Sequence, residues 1–227
     1  MAKKQDKTED RIVKVEEALS KTEHFIEQNQ KILFIIIGAI IVVVLGFFGF
    51  KKFYQAPREQ AGTEEMYMAE RYFEMDSLDL ALNGDGMYPG FLSIIDDYSM
   101  TKAANLSRYY AGICYLKKGN YDEAIDYLTS FKGRDQILGP MAKGALGDAY
   151  MEKNQVSDAA DYYADAAEMN INDFTTPLFL MKAGWAYELN SDFDKALKMY
   201  ERIKFEFPAS NEAREIDKYI ARAKSRT

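Results

Sequence analysis

The alternation of apolar and polar positions changes character twice along the chain. Residues 1–31 are polar, but Ile12, Val15, Leu19, Thr22 and Ile26 recur at three- and four-residue spacings, which predicts an amphipathic helix. Opposite charges four residues apart, Asp10–Lys14 and Glu17–Lys21, add local support. The seam is only about two coiled-coil turns long, too short by itself to specify a partner. The pattern then becomes wholly apolar over Ile32–Phe50, ILFIIIGAIIVVVLGFFGF. From Arg58 onward it settles into helical periodicity broken by short turns, with 51–57 read as a juxtamembrane linker that Pro57 ends or bends.

The apolar run has no charged residue, and as a helix it reaches about 28 Å, close to the hydrocarbon thickness of a bilayer. Lys31 marks one boundary and Lys51-Lys52 the other. A cleaved signal peptide fits poorly. The preceding segment is long, and lysines stand where a small-residue cleavage site belongs. The reading is an uncleaved transmembrane helix. The short arm of residues 1–31 carries seven Lys/Arg, so the positive-inside rule puts it in the cytoplasm and the large domain on the other side. Gly38, Gly46 and Gly49 have no GxxxG spacing and mark no packing face.

In the large domain three sets of small and aromatic residues recur at matching offsets. They are Gly112, Tyr115, Ala124 and Leu128; Gly147, Tyr150, Ala159 and Tyr163; and Gly184, Tyr187, Ala196 and Tyr200, the last unit closed by Pro208. The glycines lie 35 and 37 positions apart. Turns are predicted at Lys118-Gly119-Asn120, Lys153-Asn154 and Asn190-Ser191. A glycine and an alanine facing each other let two helix backbones approach, and the aromatic residues fill the space beside them. These offsets resemble the tetratricopeptide repeat, a helical hairpin that buries its apolar face only by stacking on neighbours. The repeats are placed at 105–139, 140–176 and 177–208. Residues 58–104 form a divergent first repeat in which Ala69, Tyr72 and Ala81 keep the offsets, before Asn83-Gly84-Asp85-Gly86 and Pro89-Gly90 interrupt the second helix. Residues 209–227 read as a capping helix, with Ala213, Ile216, Ile220 and Ala223 on one face. The expected fold is all-α: an N-terminal transmembrane helix followed by an α-solenoid of helical hairpins and a C-terminal cap.

Charge and chemistry narrow the function. The formal charge is −7, and residues 51–227 carry all of it, with 22 Lys/Arg against 29 Asp/Glu. An acidic domain without a basic stripe argues against nucleic acid. Cys114 is the only cysteine and His24 the only histidine, and the predicted membrane separates them. Cys114 sits mid-helix beside Ile113 and Tyr115, as a core thiol does. The aspartates near Asn83-Gly84-Asp85-Gly86 lack the alternating ligand series of a calcium loop, so a turn is expected there. No catalytic, metal or cofactor constellation is present, and a non-enzymatic protein is expected.

What remains is surface. The repeat resemblance implies that positions 2, 5, 9, 12 and 13 of each first helix face a concave groove. These are Leu106, Tyr109, Ile113, Leu116 and Lys117; Met141, Gly144, Asp148, Met151 and Glu152; and Leu178, Met181, Trp185, Glu188 and Leu189. The face is rich in Met, Leu and aromatics, which suits apolar or helical segments of a partner. Trp185 is the expected anchor, since interface hot spots favour tryptophan. Family members that clamp a carboxylate use Lys and Asn at several of these positions, and Lys117 alone matches. Three readings stay open: the face holds a partner, it holds the chain's own Arg58–Tyr98 segment, or it is partly core and the register differs from the one used.

The order of parts, including the stretch ERYFEMDSLDLALNGDG at 70–86, resembles the YfgM-type ancillary subunit of the bacterial SecYEG translocon. The resemblance implies an inner-membrane, single-pass adaptor with its repeats in the periplasm. Its implied partners are the SecYEG-type translocon, a membrane-anchored peptidyl-prolyl isomerase-like chaperone and unfolded clients. The alternatives are a scaffold of cell-wall, division or surface-secretion machinery, or a homo-oligomer joined through the Ile12–Ile26 seam.

Overall fold

The computed structural model describes residues 27–226, so most of the predicted amphipathic arm lies outside the described residues. The chain divides into two units, Met1–Pro57 and Arg58–Thr227. In the first unit, helix α1 covers residues 27–50, and its apolar side chains stand almost entirely exposed. Among the described residues one helix, Glu27–Glu74, is long and apolar enough to cross a membrane. The juxtamembrane stretch is not the linker expected from the sequence. Lys51–Gln55 forms a π-helical turn closed by the Ala56 N–H on the Lys51 carbonyl, and helix α2 (Ala56–Glu74) begins at once. Pro57 is the physical reason. It has no N–H for the Phe53 carbonyl, and a proline ring conflicts with the carbonyl four residues back in a regular helix, so the helix widens by one residue instead of ending.

In the second unit the described residues form antiparallel helix pairs. After α2 come α3 (Leu78–Asn83), α4 (Phe91–Asp97), α5 (Lys102–Lys117), α6 (Tyr121–Ser130), α7 (Leu138–Glu152), α8 (Val156–Glu168), α9 (Thr175–Leu189) and α10 (Phe193–Glu206). A 3₁₀ turn, Glu212–Glu215, precedes α11 (Ile216–Lys224). The last helix therefore starts several residues later than the sequence pattern suggests.

One local device closes the first helix of every pair. Asp76, Gly119, Asn154 and Ser191 all have positive φ, between 56° and 80°. In each case the next residue's N–H returns to a tyrosine carbonyl: Ser77 to Tyr72, Asn120 to Tyr115, Gln155 to Tyr150 and Asp192 to Tyr187. This is the Schellman closure, and it satisfies carbonyls that the helix end leaves free. Its appearance at Tyr72 makes α2–α3 a hairpin of the same kind as the other three. That hairpin differs in its second arm, where the loop 84–90 separates α3 from α4. The Asp85 carboxylate organises the loop by accepting the N–H groups of Met87 (2.9 Å) and Tyr88 (2.7 Å) and the Tyr72 hydroxyl (2.7 Å).

The repeated glycines are close-approach points. A Cβ on Gly112 would lie 2.5 Å from the Leu128 side chain, on Gly147 2.6 Å from the Tyr163 ring, and on Gly184 2.3 Å from the Tyr200 ring. Opposite them Ala124, Ala159 and Ala196 are fully buried. The core runs along the stack in three clusters. One joins α2 to α5 through Met66, Ala69, Phe91, Ile94 and Cys114. A second lies between α6 and α7 around Leu128 and Leu146. The largest spans α8 to α11, where Ile216, Ile220 and Ala223 of the terminal helix close the exposed end.

Candidate partner-binding groove

Helices α5, α7 and α9 carry the residues expected to face a groove, and the structure separates them into three groups. Tyr109, Ile113 and Leu116 are half-buried against Leu128, Ala142, Ala145 and Leu146, so they contribute chiefly to packing between repeats. Leu106 packs against the N-terminal cluster, and Met141, Met151 and Leu178 against the C-terminal one. Two expectations are corrected. Met181 is buried, only 6% exposed, within the C-terminal core. Gly144 is a seat for its neighbour: a Cβ there would lie 1.9 Å from the Phe179 ring of α9. The cause is register. Flanked by α8, α10 and α11, helix α9 brings the stripe Leu178, Lys182, Trp185, Glu188 and Leu189 toward solvent, so the surface position is 182 and the neighbouring 181 turns inward.

Leu116 and Lys117 of α5, Asp148, Met151 and Glu152 of α7, and Lys182 of α9 meet in a cleft of about 690 Å³, with Tyr121 and Tyr163 on its wall. It is far more charged than the apolar groove expected. The Lys182 ammonium donates to both oxygens of Asp148, at 2.7 and 3.0 Å, and sits 5.4 Å from the Tyr163 ring centroid. The Tyr163 hydroxyl donates to the same carboxylate at 2.6 Å. Burial first, and then this bond, push the Tyr163 hydroxyl's pKa up, so it stays a donor. Tyr121 donates to Glu152 at 3.2 Å, a bond that raises its own pKa. Lys117 leans the other way, pairing with Asp76 at 2.6 Å and lying 5.5 Å from the Phe73 ring.

The Arg58–Tyr98 segment does not fill this cleft. It packs on another flank of α5, where Ser107 donates to the Met66 sulfur at 3.3 Å and the Phe73 and Tyr110 rings meet at 5.1 Å. Trp185, Glu188 and Leu189 line a second cleft of about 530 Å³ with Phe193, Tyr219, Arg222 and Arg226. Trp185 is 44% exposed, its ring tilted against Tyr219 at 6.2 Å. Arg222 pairs with Glu188 through two nitrogens, which raises its pKa, and lies 5.0 Å from the Tyr219 ring centroid. This is an exposed aromatic patch with a charged rim.

Lys182, Tyr219 and Arg222 belong to these clefts but occupy none of the expected groove positions, and Tyr163, expected only to fill space beside Gly147, also reaches the first cleft. The repeat register does not mark Lys182 or Arg222: the equivalent of Asp148 in the next repeat is Trp185, three residues past Lys182, and Arg222 stands on the terminal helix beyond the repeats, so both ion pairs follow from packing. Neither cleft holds an activated nucleophile. Burial pushes the Cys114 thiol up to about 12, and among the described residues no group of His, Cys, Asp or Glu is placed to hold a metal ion.

Stacked hairpins with an open face define an α-solenoid interaction module. Two tetratricopeptide-repeat family models match the chain, over residues 106–135 and 145–211, so the repeats are tetratricopeptide repeats. Among solved structures, a Podosopora anserina protein of nearly identical TPR-like repeats, provisionally named a kinesin light chain, superposes with a TM-score of 0.54 at 14% identity, covering 72% of this chain and 85% of that one. A single-substitution form of the same protein gives the same values. At that identity the likeness shows the fold alone. No curated protein matches the sequence.

Proposed function

We propose that this protein is a membrane-anchored adaptor, accessory to the Sec translocon, which docks a chaperone or translocating clients through the clefts along α5, α7 and α9. The observation that carries the reading is one chain joining an exposed apolar helix, Ile32–Phe50, to tetratricopeptide repeats whose face stays open. Tetratricopeptide repeats generally bind proteins. The Sec assignment is supported by the order of parts in the sequence: a charged arm, a single span and a divergent first repeat. On this reading the arm is cytoplasmic, the span sits in a bacterial inner membrane and the repeats lie in the periplasm, where the protein works without catalysis.

The test is affinity purification of the intact protein from its own membranes after mild solubilisation, with a photocrosslinker at position 185. Recovery of translocon subunits, a membrane-anchored prolyl isomerase or nascent chains supports the assignment. Recovery of cell-wall or division proteins in their place refutes it.

A further inference from the structure

Three exposed apolar side chains stand at the starts of three successive first helices. Ile137 and Phe174 immediately precede α7 and α9, Met100 lies two residues before α5, and they are 39%, 65% and 60% exposed. Single exposed apolar residues are ordinary. A hydrophobic residue just before a helix commonly folds back as a staple on its first turns, but these project into solvent.

The three lie on one continuous edge, which hydrogen bonds across repeats hold together. Asn105, in the first turn of α5, accepts from the Lys132 N–H at 2.9 Å and donates to its carbonyl at 3.3 Å. Asn170 donates to the Asp135 carbonyl at 3.0 Å, and Asn172 to the Gln136 carbonyl at 3.1 Å. The second unit also begins at this edge. Glu59 accepts the Lys102 N–H at 2.9 and 3.0 Å, and Arg58 lies 5.4 Å from the Tyr98 ring centroid. Eight residue steps separate Arg58 from Phe50, the last residue of the apolar run, a reach of at most about 29 Å for any backbone conformation. The hairpin turns at Gly119, Asn154 and Ser191 close the opposite edge, about 22 Å away along helices of 15–16 residues.

We infer that the Met100–Ile137–Phe174 edge rests on the phospholipid bilayer, its apolar side chains inserted at headgroup depth, so that the solenoid lies against the membrane with its turn edge away from it. The inference depends on the reading of Ile32–Phe50 as a membrane span. Apolar side chains favour the interfacial zone over water, and their placement along one stiff edge lets all three enter together.

The test uses the full chain in nanodiscs of phosphatidylcholine and phosphatidylglycerol containing a lipid with a spin label near the headgroup. Single-cysteine forms Ile137→Cys, Phe174→Cys and, as control on the turn edge, Gln155→Cys are made with Cys114→Ala and labelled with an environment-sensitive fluorophore. Quenching at 137 and 174 at least twofold stronger than at 155 is expected. Equal quenching at all three positions overturns the inference, as do crosslinks from position 174 to a second copy, which assign the edge to self-association. An alkaline wash of the same chain in vesicles separates the two ideas. Retention shows that the span holds whatever the quenching shows, whereas release removes the anchor and this inference with it.

Discussion

Gly144 provides the sharpest test of how the repeats are joined. In Gly144→Ala the new Cβ lies 1.9 Å from one carbon of the Phe179 ring and 2.2 Å from the next, so reaching an ordinary contact near 3.4 Å needs a ring shift of about 1.5 Å. Phe179 is 2% exposed, so the ring cannot simply swing out into solvent. Overpacking of this kind costs about 1–3 kcal/mol, and so deep an overlap belongs at the upper end. Replacing a mid-helix glycine by alanine returns about 1 kcal/mol of helix propensity, leaving a net loss of about 2 kcal/mol. Phe179→Leu alone costs about 1–2 kcal/mol in lost packing. In the Phe179→Leu background the obstruction is gone, so Gly144→Ala becomes neutral or stabilising by up to about 1 kcal/mol. The expected coupling is therefore about 2–3 kcal/mol. The assay is urea unfolding of the full chain in detergent micelles, read by far-UV circular dichroism of its helices. Additive costs in the double variant refute the claim that Phe179 is seated on Gly144.

Other measurements probe the clefts and the ionisable groups. Trp185 is a little under half exposed, so it should be accessible to acrylamide quenching, and binding of a partner in the second cleft should reduce that quenching; an unquenchable tryptophan in the free protein refutes the geometry. Lys182→Ala should cost about 1 kcal/mol or less, because its side chain and that of Asp148 are about one-third exposed; a larger loss by urea titration contradicts a solvent-screened pair. Burial raises the Cys114 pKa to about 12, so the unfolded chain releases this proton first as pH rises. Its contribution to stability is complete below the ordinary thiol range and declines above it until the folded thiol titrates, and Cys114→Ala should flatten the alkaline slope; an unchanged slope refutes the assignment. The Asp85 carboxyl is held below the usual range by the N–H of Tyr88 first, then by the Tyr72 hydroxyl and the Met87 N–H. The loop's added stability is thus present above the ordinary aspartate range and lost as pH falls through the lowered value. The amide resonances of Met87 and Tyr88 should move only below that range, and movement at ordinary aspartate pH sinks the turn assignment.

The amino-acid sequence alone determined the helical hairpins and their spacing, because they depend on local chemistry. Gly112, Gly147 and Gly184 leave gaps that a ring or leucine on the facing helix fills, and Gly119, Asn154 and Ser191 tolerate the left-handed backbone that ends each first helix. The apolar run Ile32–Phe50 was equally legible, since an uninterrupted stretch needs no partner to be recognised. Which side chains reach the groove was decided only by tertiary packing. A slip of one residue rotates a helical position by about 100°, enough to exchange Lys182 for Met181 at the surface. The sequence periodicity of α9 could not resolve that, because apolar residues surround the helix on nearly every side. The π turn at Lys51–Gln55 and the shared edge of Met100, Ile137 and Phe174 also needed three dimensions. One depends on how a helix relaxes around Pro57, the other on which loops the stack brings together.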